Sequence, residues 1–245
     1  MLTLIHSDLK RLFSDWKRWT LVAAAAVLLI FLTALGMILS GDSTSSRFLS
    51  NFSVNMTAAG CIVGAIELSW VYAADLKANI YPALIGAGLE RWKIVLAKFA
   101  VFAMLVLADI VILGAVGFAA GQGCCMSLDG IYAARFAKYL FCVYLYMMAA
   151  ALPSVLVLYL TDKVIFMTAV FLLLMADLLP SVINSAAEQA GLDLSFLDVN
   201  QQIRLLGSCI AGGAFNIFAA LTIVVYASVL VSACLAVFKK KELNF

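Results

Sequence analysis

Histidine and charged residues are scarce in this 245-residue chain. The single histidine, His6, and the lack of a cysteine–histidine cluster at metal-ligand spacing argue against a metal centre. No Gly-x-x-x-x-Gly-Lys-Ser/Thr loop for nucleotide phosphates occurs, so the chain is not expected to use ATP by itself. Charged residues make up 12% of the chain and the net charge is +2, so bulk charge indicates no nucleic-acid partner.

Apolar residues are abundant instead. They form 65% of the chain, and the mean hydropathy is +1.08, far outside the range of soluble globular domains. Several apolar runs are long enough, at ~1.5 Å per helical residue, to cross a hydrocarbon core of ~30 Å. The sequence therefore predicts an all-α membrane protein with one transmembrane domain over residues 1–245. The six predicted spans are residues 19–40, 54–74, 94–119, 139–161, 164–183 and 215–238.

The segments outside these spans differ in character. Residues 1–18 place apolar side chains on one helical face and basic ones on the rest, which predicts an amphipathic helix in the plane of the interface. In that helix Asp8 and Asp15 are spaced to pair with Arg11. Residues 41–53 and 121–138 are predicted loops, and 184–208 is a predicted exofacial segment on the bilayer surface. The first apolar run is too long for a cleavable signal peptide.

Basic residues in short loops predict the orientation. Both termini and the loop after the second span are expected in the cytoplasm, because that side collects far more lysine and arginine than the other. The predicted cytoplasmic set is Lys10, Arg11, Lys17, Arg18, Lys77, Arg91, Lys93, Lys163, Lys239, Lys240 and Lys241; the outer set is Arg47, Arg135, Lys138 and Arg204.

A polar island at residues 74–98 separates the second and third spans. Inside it lies a compact apolar piece that begins near Pro82 and ends at Gly86 and Gly88, as expected of a short helix. A short, partly apolar helix outside the bilayer needs something to pack against. A soluble partner on that side of the membrane would supply it.

The island also resembles the cytoplasmic loop of ABC-2 type permeases, the membrane subunits of ABC exporters. In that family an acidic residue ends the second span, a short coupling helix follows, then a Gly-x-x-Arg segment and a lysine early in the third span. Asp75, the piece at 78–86, Gly88 with Arg91, and Lys98 match this order. Ala78-Asn79 replaces the Gly-Thr pair common at the start of the coupling helix, and Pro82 within it is atypical.

The resemblance implies a six-span transport subunit, not an enzyme, in the bacterial cytoplasmic membrane. Two copies of a separate ATPase would bind ATP and Mg, and a second copy of this chain or a homologous permease would complete the pathway. The helix at 1–18 would be either a membrane anchor or an elbow helix that touches the ATPase. Cargo could be peptides such as bacteriocins, drugs, lipids or polysaccharides, and small size favours peptide export or self-protection. The implied ATPase-coupling residues are Asp75, Lys77, Tyr81, Leu84, Ile85, Glu90, Arg91 and Lys93.

Ionisable residues at membrane depth are a second set of candidate functional residues. Each costs at least ~2.5–3.5 kcal/mol at a helix centre, so such residues normally face protein or water. Lys98 lies one turn inside and can snorkel. Glu67 and Asp109 could line a substrate path, relay protons, or form hydrogen bonds across helices. Asp177 precedes Pro180, which should bend the fifth span, and could lie in the path or at a dimer contact.

Three other function classes stay open. One is a purely structural membrane subunit, in which the polar island would have no evident purpose. A proton-coupled secondary transporter would use Glu67, Asp109 and Asp177 and need no ATPase, although no clear internal repeat supports it. An intramembrane enzyme would need a convergent catalytic set, for which one histidine on the interfacial helix offers little. The adjacent Cys124 and Cys125 are expected to be unpaired or to contact another chain, because a vicinal disulfide is strained.

Overall fold

A computed structural model describes residues 1–41, 44–77, 80–123, 130–189 and 198–240, with side chains omitted at 73–77, 130–131, 187–188 and 211. All regular structure in these ranges is helical, which confirms the all-α prediction. The helices are α1 (Leu2–Ser14), α2 (Trp16–Ser40), α3 (Ser45–Lys77), α4 (Ile80–Gly86), α5 (Arg91–Gly123), α6 (Gly130–Thr161), α7 (Val164–Met175), α8 (Leu178–Gln189), α9 (Val199–Gly207) and α10 (Ile217–Lys240), with a 3₁₀ turn at Ser208–Ala211.

Among the described residues, five helices are long and apolar enough to cross a membrane, namely α2, α3, α5, α6 and α10. The pair α7 and α8, bent by 66°, makes a sixth if it is counted as one span. Many apolar side chains of α2 and α10 are exposed on the outside of the bundle, among them Phe31, Ile38, Phe218 and Val224. The chain is thus built as a multi-pass membrane protein, and the number of spans depends on the bent pair.

The bundle has two distinguishable ends. At what we call the terminal end, the last turn of α10 contacts the start of α5 and the end of α6: Arg91 binds the Phe238 carbonyl, and the rings of Tyr159 and Phe238 lie 4.9 Å apart. At the far end, α2 meets α3, where Asn55 donates a hydrogen bond to Thr33. α3 lies at the centre, in contact with α2, α5, α6 and α7.

Two predicted loops are largely helical. α3 begins at Ser45 and α6 at Gly130, so much of 41–53 and of 121–138 extends the membrane helices. Aromatic packing accounts for the difference. Phe52 stacks on Phe136 with ring centroids 4.7 Å apart, and Phe118 meets Phe136 edge-on at 5.8 Å. Burial of large aromatic rings against each other stabilises the added turns.

The first helix is shorter than predicted. α1 ends at Ser14, and the Asp15 carboxylate accepts a hydrogen bond from the backbone N–H of Lys17, which caps the start of α2. Residues 16–18 therefore belong to the first membrane helix rather than to the interfacial one. This places Arg18 inside the bundle.

The fifth predicted span is broken, but not by its proline. α7 ends at Met175, and Asp177 has a left-handed backbone with φ of 59°. Pro180 lies in the first turn of α8, where proline is tolerated because no helical partner is needed for its nitrogen. The bend predicted at Pro180 is therefore produced three residues earlier, at Asp177.

Gly117 of α5 packs directly against the Phe52 ring of α3. A Cβ atom there would lie 2.1 Å from Cε2 of Phe52, whereas one at Gly123 in the same helix would meet nothing within 4 Å. We expect Gly117→Ala to lower the free energy of unfolding by ~1–3 kcal/mol through overpacking. Gly123→Ala should be neutral or slightly stabilising, because alanine favours helix. Thermal unfolding of the detergent-solubilised protein, followed by circular dichroism, measures both; equal midpoints would contradict the proposed close packing.

Candidate functional site

The short helix α4 is attached to the last turn of α10. The Tyr81 side chain is buried, and its ring meets that of Phe238 edge-on at 5.5 Å. At the other end of α4, Gly88 adopts φ of 84°, and the N–H groups of Gly88 and Leu89 bond to the carbonyls of Ile85 and Leu84. This is a Schellman ending, which favours glycine at that position. The predicted helix thus exists, from Ile80, with residues 78–79 outside the described ranges.

Arg91 closes the contact between α5 and α10. Its Nη1 atom donates to the carbonyls of Phe238 and Lys239 at 3.1 and 2.9 Å. The last carbonyls of a helix have no partner within the helix, so a guanidinium stabilises this end. Arg91 therefore has an internal contact that the sequence did not reveal.

Exposure divides the implied coupling residues into three groups. Tyr81 is buried, and Leu84 and Ile85 are half-buried against the core. Glu90 is exposed and pairs with Lys93 at 2.7 Å; hydrogen bonds from Lys93 and then from the Trp92 indole lower the pKa of its carboxyl group. Asp75 and Lys77 lie in the last turn of α3, with side chains outside the described set.

The surface that this end presents to solvent is built from other residues. Ala83, Gly86 and Ala87 are exposed on and just after α4, and Trp92 is 46% exposed at the start of α5. Tryptophan is enriched at protein contacts relative to the rest of the protein surface. We refer to these four residues as the α4 face.

Arg18, Glu67 and Asp109 form a buried cluster that joins three helices. Arg18 in α2 is 0% exposed; its Nε donates to Glu67 Oε1 of α3 at 2.7 Å, and its Nη2 donates to Asp109 Oδ1 of α5. The guanidinium also lies 4.7 Å from the centre of the Phe13 ring. Of the roles open to Glu67 and Asp109, hydrogen bonding across helices is the one that the geometry displays.

Sequence reasoning missed Arg18, which it assigned to the polar face of the interfacial helix. Two signals could have found it. Asp15 is a favourable N-cap, which would start a new helix just before Arg18. In addition, two acidic residues at membrane depth need a cation, and Arg18 is the arginine next to the first span.

A second buried ion pair joins α1 to α5. Lys98 Nζ lies 2.5 Å from Asp8 Oδ2, and Asp8 also lies 3.6 Å from Arg11. Lys98 is only 1% exposed, because α1 covers its ammonium group. The expected Asp8–Arg11 pair exists, but the buried lysine is the nearer partner.

Asp177 belongs to a separate polar group toward the far end. It accepts a hydrogen bond from Asn200 Nδ2 at 2.6 Å and lies 3.8 Å from Arg204, whose Nε donates to the Tyr146 hydroxyl at 3.1 Å. The structure therefore brings Glu67 and Asp109 together and leaves Asp177 elsewhere. Within the described ranges, no three His, Cys, Asp or Glu side chains converge to hold a metal ion.

No protein-family profile matches the chain, and no curated protein is significantly similar to it.

The buried cluster should be essential for stability. Arg18→Gln leaves two carboxylates without their cation, and loss of one partner of a buried pair costs ~3–5 kcal/mol. Lys17→Gln, at the exposed neighbouring position, should change stability little. Thermal unfolding in detergent measures the difference. Adding Glu67→Gln and Asp109→Asn to Arg18→Gln should restore part of the loss; a triple variant no more stable than the single one would contradict the charge argument.

Arg91 should hold the end of α10. Arg91→Gln is expected to speed amide hydrogen exchange in the last turn of α10, because the freed carbonyls no longer hold it against α5. Lys93→Gln removes a charge two residues away from an exposed pair and should leave that exchange unchanged. Hydrogen exchange with mass spectrometry resolves the segment. Equal exchange in the two variants would show that Arg91 does not cap the helix.

Proposed function

We propose that this chain is the transmembrane permease subunit of an ATP-driven ABC exporter of the ABC-2 type, moving a peptide or another amphipathic substrate out of the cell. The observation that carries the proposal is α4 itself: a short helix between two long membrane helices, outside the apolar runs, with an exposed face of small residues and one tryptophan. A helix in this position can be displaced by a soluble subunit and can transmit that displacement to α3 and α5.

The contacts of α4 give a physical route for that displacement. α4 lies between α3 and α5, and both helices bind Arg18 of α2 through Glu67 and Asp109. Tyr81 and Arg91 attach the same region to α10. A displacement of α4 would therefore move the ends of four membrane helices together rather than one alone.

The structure changes which residues are proposed to meet the ATPase. Tyr81 and Arg91 hold α4 in place, whereas the α4 face, with Leu84 and Ile85 behind it, would be the docking surface. The exposed Glu90–Lys93 pair would lie at its edge. ATP and Mg would be bound wholly by two copies of the partner subunit, and a second permease, identical or homologous, would complete the assembly in the bacterial cytoplasmic membrane with both termini inside.

A proton-coupled secondary transporter is the alternative, favoured by one observation: Glu67 and Asp109 share a single buried arginine. Two carboxylates facing one cation form a group that could exchange a proton. The distance of Asp177 from this group counts against a relay through all three carboxylates.

Ala83→Arg tests the proposal, because Ala83 is exposed in the middle of α4 and its replacement removes no internal contact. The tagged chain is purified in mild detergent from its native cells, and ATP hydrolysis of the co-purified material is assayed. We expect an ATP-hydrolysing subunit with the unaltered chain and with the control Ser40→Arg at the far end, but not with Ala83→Arg.

The absence of a co-purified ATPase would also discriminate between the two proposals. If no ATPase accompanies the unaltered chain, and proteoliposomes of the chain alone conduct protons in a manner lost in Asp109→Asn, the permease proposal fails and the secondary transporter replaces it. A pH-sensitive dye inside the vesicles reports this flux without knowledge of the cargo.

A further inference from the structure

A large cleft opens on the side of the bundle, toward the far end. It has a volume of about 870 Å³ and lies between α3, α6, the break after α7, and α9. Apolar side chains such as Val54, Ile62, Val143 and Met175 line much of it. Val54 and Ile62 are 67% and 49% exposed on the membrane helix α3, so the mouth faces the lipid rather than only the aqueous phase. Ligand sites for molecules of drug size or larger typically have such a volume.

The described side chains that line the cleft include two cations, Lys138 and Arg204, and one anion, Asp177, so their formal charges sum to +1. Arg204 already forms an ion pair with Asp177, with Nη2 3.8 Å from Oδ2. Lys138 has no carboxylate within ion-pair distance among the side chains that the structure describes. Its aliphatic stem lies beside Gly207 of α9, with Cγ 3.5 Å from the place that a Cβ atom would take there, which brings α6 and α9 together at the mouth. The cleft is therefore complementary to an anion.

The position of Lys138 along α6 places this charge at the level of lipid headgroups. α6 ends at Thr161, directly before the polar turn at Asp162 and Lys163, which must lie outside the hydrocarbon. From Thr161 back to Lys138 are 23 residues, or ~34 Å of helix. The hydrocarbon core is ~30 Å thick, so Lys138 reaches the opposite interface. Val143 and Ile62 lie deeper, as acyl chains do.

We propose that this cleft binds an anionic phospholipid of the far leaflet, with its phosphate between Lys138 and Arg204 and one acyl chain along Val54, Ile62 and Val143. The hydroxyl groups of Ser53 and Thr57 also line the cleft and can donate to phosphate or glycerol oxygens. The site is separate from the α4 face, so it does not depend on the proposed transport function. A bound lipid would fill the space next to the break in the fifth helix and would support its bent form.

The chemistry of the cleft selects this occupant over others. A cationic peptide would meet two like charges at the mouth. A second copy of this chain would have to cover Lys138 and Arg204, and among the side chains that the structure describes near the far ends of α3 and α6 the exposed charges are the like-charged Arg47 and Arg135. A zwitterionic lipid would fit the apolar wall but would bring no net charge to the cations.

Native mass spectrometry of the full-length chain tests the proposal. The delipidated protein is titrated with dioleoyl phosphatidylglycerol or with dioleoyl phosphatidylcholine, which share acyl chains and differ in headgroup charge. We expect one phosphatidylglycerol to bind preferentially. Lys138→Gln with Arg204→Gln should weaken that preference by roughly tenfold or more, because each basic residue near the headgroups adds roughly fivefold in affinity for anionic lipid.

Two controls distinguish a specific lipid site from non-specific electrostatic attraction of anionic lipid to the protein. Arg47→Gln with Arg135→Gln removes the same charge from exposed positions outside the cleft and should leave the preference intact. Ile62→Trp keeps both cations but fills the apolar part, and should weaken binding of phosphatidylglycerol. Equal binding of the two lipids by the unaltered chain, an equal loss in the Arg47 and Arg135 control, or no effect of Ile62→Trp would each overturn the proposal. Circular dichroism verifies that every variant is folded.

Discussion

The contact on which the rest of the bundle depends is that of Arg18 with Glu67 and Asp109. Three charges removed from water are stable only while they stay together, since any one of them left alone would bear the full cost of desolvation. α2 therefore cannot slide along α3 or α5 by a turn without losing both hydrogen bonds. The Lys98–Asp8 pair adds α1 to the same unit. Four helices are thus held by charge in a protein whose remaining contacts are mostly apolar.

The other half of the molecule is assembled differently. α6 and α7 pack on α3 through small and apolar side chains, as at Gly64, where a Cβ atom would lie within 3 Å of both Met147 and Phe171. Such packing tolerates a break in the fifth helix and leaves the cleft beside it. The two proposals follow this division: α4 joins the charge-linked half, through which the proposed movement would be transmitted, and the proposed lipid site lies in the half that contains the cleft.

Much of the helical layout follows from the sequence, while several local predictions failed for identifiable reasons. Long apolar runs predict membrane helices, and Gly88 after a short apolar piece predicts the end of α4. The loop predictions were wrong for the described residues 45–53 and 130–138, because Phe48, Phe52 and Phe136 are separated by polar residues in the sequence and stabilise helix only when their rings pack together in the fold. Lys98 and Arg18 were assigned to the interface because burial of a charge is reasonable only when its partner, 90 or 49 residues away, is known to be adjacent.

The sequence by itself determined that this is an all-α membrane protein, where most of its apolar helices run, and that a short helix interrupts them between α3 and α5. These features depend on the composition and residue spacing within each segment, so they can be recognised without knowledge of the other segments. Tertiary structure alone decided that Arg18 joins Glu67 and Asp109, that Tyr81 and Arg91 contact the end of α10, and that Lys138 and Arg204 border one cleft. Each of these depends on which distant helices pack together, because the free energy of a buried charge or ring is set by its neighbours in space.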